Sequence, residues 1–264
     1  MAIALHTALT GAQVALDRID IWANNIANSD TNGFKAQEIQ TADLFYTKFQ
    51  KAGIQENTEA ERRPVGIQYG MGTKTVGTSM NAEQGAIRVT SNPLDIALTA
   101  SGWLAVTLPN GRTGYTRDGS LKRTSEGILT TFDGKPLANN IVIPEDIPTN
   151  TINISNDGLI TAPDPEDPAN LIELGQLEIF TFNNESGLQR IGNNILLETF
   201  ASGEAIIVAD TTDHFEQGAL EQSNTASSIE GMTKIIQAQR QYELNVRVIR
   251  IADEMEKEAN NLKS

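Results

Sequence analysis

Apolar positions recur along this chain with three different periods. From residue 2 to residue 28, Leu5, Leu9, Ala12, Leu16, Ile19, Ala23 and Ile26 step alternately by four and three residues. That spacing collects them on one narrow seam of a helix, the pattern of a helix that pairs with another helix. No proline interrupts the run, and its only glycine is Gly11. The turn formers Asn28-Ser29-Asp30-Thr31-Asn32-Gly33 end it.

Residues 226–263 predict a second long helix, without proline and, after Gly231, without glycine. At 1.5 Å per residue, about 32 residues would span ~48 Å. Two apolar stripes run along it. Met232, Ile235, Gln239, Tyr242, Val246 and Ile249 form one; Leu244, Val248, Ile251, Met255 and Leu262 form the other, and Ile236 joins the candidate interface positions. A surface helix needs one such stripe, so two imply more than one neighbour. A helix that merely completes a core is the plainer alternative.

Between the helices, residues 86–218 predict antiparallel sheet. Short β-rich runs recur at Ile87–Thr90, Leu94–Leu98, Trp103–Leu108, Ile128–Phe132, Ile141–Ile143, Thr151–Ser155, Leu171–Phe182, Ile195–Phe200 and Ala205–Val208. Asn110-Gly111, Asp118-Gly119, Asp133-Gly134 and Asp157-Gly158 separate some of them, and such pairs supply the positive φ angles of tight hairpins. Residues 34–85 are expected to be extended and partly irregular. Ala42–Tyr46 reads as a short helix or strand, and Lys51–Arg63 as a mobile polar loop or hairpin.

The expected fold is α+β, with N- and C-terminal helices pairing as an antiparallel coiled coil and a mostly antiparallel β domain inserted between them. The expected divisions are 1–33 for the N-terminal helix, 34–85 for the extended linker, 86–218 for the β-rich domain and 219–264 for the C-terminal helix.

Composition narrows the function. The 264 residues carry 34 Asp+Glu against 20 Lys+Arg, a formal net charge of −14. Nucleic acid or an anionic membrane surface would need clustered cations, so neither is expected as a partner. Self-assembly would have to rest on short-range apolar packing and local charge pairs. No cysteine is present, which removes disulfides and thiolate chemistry. No apolar run reaches the ~18 residues of a membrane span, and the N-terminus lacks the features of a cleaved signal peptide.

Candidates for catalysis are sparse. The two histidines, His6 and His214, belong to no metal-binding spacing. Gly70-Met-Gly-Thr-Lys-Thr75 lacks the spacing of a phosphate loop, and the acidic loop with Asp164, Glu166 and Asp167 lacks the order of a calcium loop. No catalytic, cofactor-binding or metal residue is expected. A carbohydrate-binding or adhesin-like module on a helical stalk would want exposed aromatics, yet Trp22 and Trp103 are the only tryptophans. A hydrolase built on an unrecognised carboxylate pair stays a further alternative.

The first helix runs out through Asn24-Asn25-Ile26-Ala27-Asn28-Ser29-Asp30-Thr31-Asn32-Gly33-Phe34-Lys35. This segment resembles the signature of the axial rod and hook proteins of the bacterial flagellum. Tyr115-Thr-Arg-Asp-Gly-Ser120 after Ser101-Gly-Trp103 is similar to a second motif of that family. Leu220-Glu-Gln-Ser-Asn224, Ile236–Glu243 (with Gln239, Arg240, Tyr242 and Glu243) and Asp253-Glu-Met255 resemble its C-terminal block. Gly66–Gly72 through Glu83-Gln-Gly85 are most like members of the distal rod. Asn92–Leu98, Gly102–Val106 and Glu258–Leu262 read more like the proximal rod.

The resemblance implies a structural subunit that self-assembles into a helical tubular drive shaft transmitting motor torque to the hook. It implies partners in other copies, other rod proteins, the hook, the surrounding rings as a bushing and the flagellar type III export apparatus. It places the protein in the rod crossing the periplasm, exported without cleavage and not inserted in a membrane. Within the motif, Asn24, Asn25 and Asn28 are expected to bond backbone across the turn, and Gly33 to supply a positive φ.

Overall fold

The computed structural model describes residues 2–50, 66–164, 170–209, 213–225 and 228–262. The Lys51–Arg63 loop, most of the Asp164–Pro168 loop and Thr211 before His214 lie outside the described residues. The chain is α+β, with a helix at each end and a mostly antiparallel β region inserted between them. It divides into two compact units. A helical unit holds Met1–Ile26, Gln37–Ser79 and Ser227–Ser264; a β unit holds Ala27–Ala36 and Met80–Ala226.

The helical unit contains α1 (Ala2–Ala27), β1 (Gln37–Asp43), β2 (Tyr46–Gln50), β3 (Ile67–Gly70), β4 (Thr73–Met80) and α2 (Ser228–Asn261), the last residues of α1 and β4 being counted with the β unit. The stretch expected to be extended and partly irregular carries four strands, with Ala42–Tyr46 running from the end of β1 into β2. β1 pairs with β4, and β2 pairs antiparallel with β3.

On α2 the covered positions are Gly231, Ile235, Ala238, Tyr242, Asn245, Ile249 and Ala252, with Val246 beside them. They step by four and three, a heptad seam shifted from the sequence reading because glycine and alanine, rather than Met232 and Gln239, occupy its enclosed places. Along α1 the enclosed apolar residues are also small: Ala8, Ala12, Val14 and Ala15. Arg18 Nη1 donates to Gln241 Oε1 at 3.0 Å. A Cβ at Gly11 would lie 2.9 Å from Asn245 Nδ2, and one at Gly231 2.9 Å from Ile26 Cγ1. These contacts pair low numbers in α1 with high numbers in α2, so the helices run in opposite directions where they meet.

A different side of α1 bonds to the strands. Thr75 Oγ1 donates to Asp17 Oδ2 at 2.5 Å, and Thr73 N donates to Thr10 Oγ1 at 3.4 Å.

The β unit contains β5 (Ile87–Val89), β6 (Ile96–Leu98), β7 (Trp103–Thr107), β8 (Thr113–Thr116), β9 (Leu121–Arg123), β10 (Leu129–Thr131), β11 (Asn153–Ile154), β12 (Leu159–Pro163), β13 (Leu171–Gln176), β14 (Ile179–Thr181), β15 (Gln189–Gly192), β16 (Ile195–Leu197), β17 (Ile206–Ile207), β18 (Phe215–Gln217) and β19 (Ala219–Glu221). Its main sheet has the order β15-β16-β8-β7-β14-β17, a second sheet the order β11-β12-β13, and three ribbons pair β9 with β10, β6 with β18 and β5 with β19.

Period-two alternation feeds both faces of the main sheet. Leu104, Val106, Ile179, Ile195 and Leu197 join the large core with Leu121, Leu129 and Ile160, while Trp103, Ala105, Tyr115 and Leu196 face a smaller cluster with Phe182. Two expectations need correction here. Ile141–Ile143 forms no strand: Val142 makes only an isolated bridge to Ile128, because Asn140 at φ 45° and Pro144 bound the segment. Gly111, Gly134 and Gly158 take positive φ as expected, but Gly119 does not; it leaves room for the Ile96 carbonyl.

Candidate assembly site

The open surface of the helical unit carries the residues expected to make contacts between copies. On α2, Leu244 (59% exposed), Val248, Ile251, Met255 (54%) and Leu262 all face outward. At 100° per residue their stripe lies about 120° round the helix from the covered seam. Met232 and Ile236 are exposed on another side, whereas Ile235, Tyr242, Val246 and Ile249 are half-buried. On α1, Leu9 and Leu16 are exposed with Ala23, Ala12 is buried, and Leu5, Ile19 and Ile26 lie between these extremes. A mainly apolar groove of about 380 Å³ runs beside Leu9, bounded by Val14, Leu44 and Thr73. Large apolar side chains left open along both helices, while alanines are enclosed, constitute a surface with adhesive capacity and no chemistry of its own.

The motif residues behave differently. Asn25 is fully buried, and its amide reads both backbone groups of Gln37: Nδ2 donates to the carbonyl at 2.8 Å, and Oδ1 accepts from the N–H at 3.0 Å. Of the three asparagines expected to bond backbone across the turn, Asn25 does so. Thr31 N donates to the Asn28 carbonyl at 3.2 Å, Asn24 and Ala27 are exposed, and Gln239, Arg240 and Glu243 project outward from α2.

Gly33, Phe34 and Lys35 are buried in the β unit. Gly33 takes φ 64°, the left-handed value expected of it, and its N–H donates to the Glu221 carbonyl at 2.7 Å. The Arg190 guanidinium stacks 5.1 Å from the Phe34 ring centroid.

Lys35 ends in a buried ionic knot that the sequence reading did not single out. Its Nζ donates to Glu221 Oε1 at 2.7 Å and to the Glu83 carbonyl at 2.6 Å. Glu221 Oε2 accepts from Arg117 Nε at 2.6 Å, and Oε1 also accepts from Gly85 N at 2.7 Å. Arg117 spends its other N–H groups on the carbonyls of Gly102 and Ala100 at 2.5 and 2.6 Å. Asn224 completes the arrangement, accepting from Ala36 N at 2.7 Å and donating to the carbonyls of Asn81 and Glu83. One carboxylate serving two enclosed cations leaves excess positive charge, and burial, together with the Arg117 charge, pushes the Lys35 pKa below its ordinary value despite the Glu221 contact. The signal for this knot was present in the sequence: Glu221 ends an otherwise apolar strand, and each of the three family motifs contributes one ion.

Trp103 is 2% exposed, which removes it from any sugar-stacking surface. Among the described residues, no group of three or more His, Cys, Asp or Glu side chains converges as a metal site, and no helix is long and apolar enough to cross a membrane.

Comparison with known proteins returns one family at several places. Residues 5–35 match the family model "Flagella basal body rod protein", residues 97–162 the "Flagellar hook protein FlgE/F/G D1 domain", and residues 216–262 the "Flagellar basal body rod FlgEFG protein C-terminal". The flagellar basal-body rod protein FlgG of Borreliella burgdorferi is 39% identical over 267 residues, covering 100% of this chain and 99% of that protein. FlgG of Caulobacter vibrioides is 36% identical over 270 residues, with 99% of each chain covered. The basal-body rod protein FlgF of Escherichia coli is 33% identical over 268 residues, covering 99% of this chain and 98% of its own.

Proposed function

The chain belongs to the flagellar basal-body rod protein family and is a structural subunit of the rod, of the distal kind its FlgG relatives represent; we propose that it assembles through its terminal helices. Within one copy, α1 and α2 pair as an antiparallel coiled coil along the seam from Gly231 to Ala252. The stripe from Leu244 to Leu262 and the exposed leucines of α1 are then buried by neighbouring copies in a helical tube. Other rod proteins and the hook continue that tube at its ends, the surrounding rings run against its outside, and the type III export apparatus delivers the chain uncleaved. Torque passes along the shaft because each copy is gripped on several sides.

The observation that carries this reading is the inversion on α2, where alanine and glycine are enclosed while leucine, isoleucine and methionine stand in water. A surface of that kind is stable only when something covers it.

Leu16→Asp and Val248→Asp, each placed in motile cells, test it. A charge at either position is expected to abolish rods and swimming while the subunit is still exported. Swimming cells with intact rods would refute the assembly role of the helices.

A further inference from the structure

Resting on that reading, we propose the register in which copies join: the open stripe of α2 packs antiparallel on the open stripe of α1 in the next copy, with Leu244 opposite Leu16, Ile251 opposite Leu9, Arg240 opposite Asp20 and Glu254 opposite His6. All eight side chains are exposed in the single chain.

Polarity comes first. Subunits of a helical polymer all point the same way, so an α1 and α2 that oppose each other within a copy also oppose each other between copies. Spacing comes next. The open face of α1 reads Leu9, Gln13, Leu16, Asp20, Ala23, in steps of four and three. Leu9 and Leu16 are one heptad apart, as are Leu244 and Ile251, so an antiparallel alignment that matches one pair matches the other. Sliding α2 by a heptad either way sets Glu258 against Leu9 or Gln237 against Leu16.

Charge then settles the remaining choice. An intermediate slide would set Val248 on Leu16 and Met255 on Leu9, and apolar contact alone would tolerate it. It would also bury Asp20 against Leu244. In the proposed register Asp20 meets Arg240, His6 meets Glu254 and Gln13 meets Arg247, so every polar group at the seam has a partner of opposite or neutral character. The groove beside Leu9, with Val14 and Leu44 on its walls, receives the incoming helix.

The absence of cysteine makes the test direct. Cells would produce two versions of the full chain together, one with Leu16→Cys and one with Leu244→Cys, and isolated basal bodies would be oxidised. A disulfide needs Cα atoms about 5.5 Å apart. Crosslinked pairs containing one copy of each version are expected to predominate, as they are for Leu9→Cys with Ile251→Cys. Leu16→Cys with Val248→Cys should link several-fold less. Intact rods in which the Val248 combination dominates, or in which none of these combinations links, would overturn the register.

A charge exchange gives a second readout. Asp20→Arg and Arg240→Asp should each weaken assembly by roughly tenfold, the scale of one interfacial charge pair, and their combination should recover most of the loss. A combination no better than its parts overturns the pairing. If Leu16→Asp abolishes rods while these tests fail, only the register falls; if Leu16→Asp is harmless, the assembly reading itself has failed.

Discussion

The β unit closes a large apolar core within one chain: Ile96, Leu98, Leu104, Leu121, Leu129, Ile160 and Ile179 are all sealed from solvent, while Phe132, Leu171 and Phe200 stay exposed outside it. In the helical unit Leu9, Leu16, Leu244, Ile251 and Met255 stand in water, and, Asn25 apart, the enclosed positions go to alanine, glycine and one valine. Charge divides the same way. The helical unit carries 12 Lys+Arg and 13 Asp+Glu, the β unit 8 and 21. The acidity of the chain therefore belongs almost wholly to the unit that completes its own core, while the unit left open to neighbours is close to neutral. Copies would be held apart by one unit and joined by the other. A core that is finished within one chain and a core that is finished only by other chains leave different signatures in the same sequence.

The sharpest way to break this comparison is at Glu221. Replacing it by glutamine leaves Lys35 and Arg117 enclosed without their counter-ion, and removing one partner of a buried ionic group costs about 3–5 kcal/mol. Chemical denaturation followed by Trp103 fluorescence, with Trp22→Phe as the background, should register that loss in the β unit. Leu16→Asp, on an exposed position of α1, should move the same transition by no more than about 0.5 kcal/mol. Equal losses from both substitutions would erase the distinction between the two units.

Much of this organisation was legible in advance, for a physical reason. The helices announced themselves because 3.5-residue spacing sustained over several turns aligns apolar side chains on a helix and scatters them on a strand. The sheet did so because Asn-Gly and Asp-Gly pairs at Gly111, Gly134 and Gly158 require turns. The tightest hairpin was missed. Asn193 and Asn194, between β15 and β16, both take positive φ, at 50° and 55°, without a glycine between the strands. Short strands such as β8 and β9 were missed because Thr113-Gly-Tyr-Thr116 and Leu121-Lys-Arg123 have no alternation to read. The seam of α2 keeps Ile235, Tyr242 and Ile249, but Gly231 and Ala238 take the places read for Met232 and Gln239, because burial of alanine and glycine leaves no hydrophobic signal. The ions of the knot were visible one per motif, but their pairing was not, since 186 residues separate Lys35 from Glu221 and no spacing rule spans that distance.

Gly33 sharpens the comparison with a smaller effect. It closes the turn after α1, yet it lies in the β unit. A Cβ there would meet the Arg117 carbonyl carbon and oxygen at 2.6 Å, and φ is 64°. Left-handed backbone costs a non-glycine residue about 1–2 kcal/mol, and the collision with a backbone that carries the Arg117 contacts adds to it. Gly33→Ala should therefore destabilise the β unit by about 2–3 kcal/mol. Helix content measured by circular dichroism should hold until that transition begins. Loss of helix content at lower denaturant than the Trp103 signal would tie Gly33 to the wrong unit.

The smallest effect is a dependence on pH, and its sign separates the ionic knot from an ordinary ion pair. Burial holds the Lys35 pKa below 10.5 in the folded chain, whereas unfolding returns it to the ordinary value. Between those limits the unfolded chain binds more protons than the folded one, so the contribution of Lys35 to stability rises with pH, by at most about 1.4 kcal/mol per unit. A pair in which attraction outweighed desolvation would give the opposite slope. Tyr115, pushed above 10.0 chiefly by burial, works the other way, but only at pH values beyond its unfolded pKa. Denaturation between about pH 8 and about pH 10 therefore isolates the lysine, and Lys35→Met supplies the reference, since it removes the titrating group while leaving Glu221 bonded to Arg117. The stability difference, unsubstituted chain minus Lys35→Met, should grow as pH rises through that window. A difference that shrinks would mean Glu221 holds the lysine proton more tightly than burial expels it, and the knot would then stabilise the β unit by attraction rather than merely satisfy it.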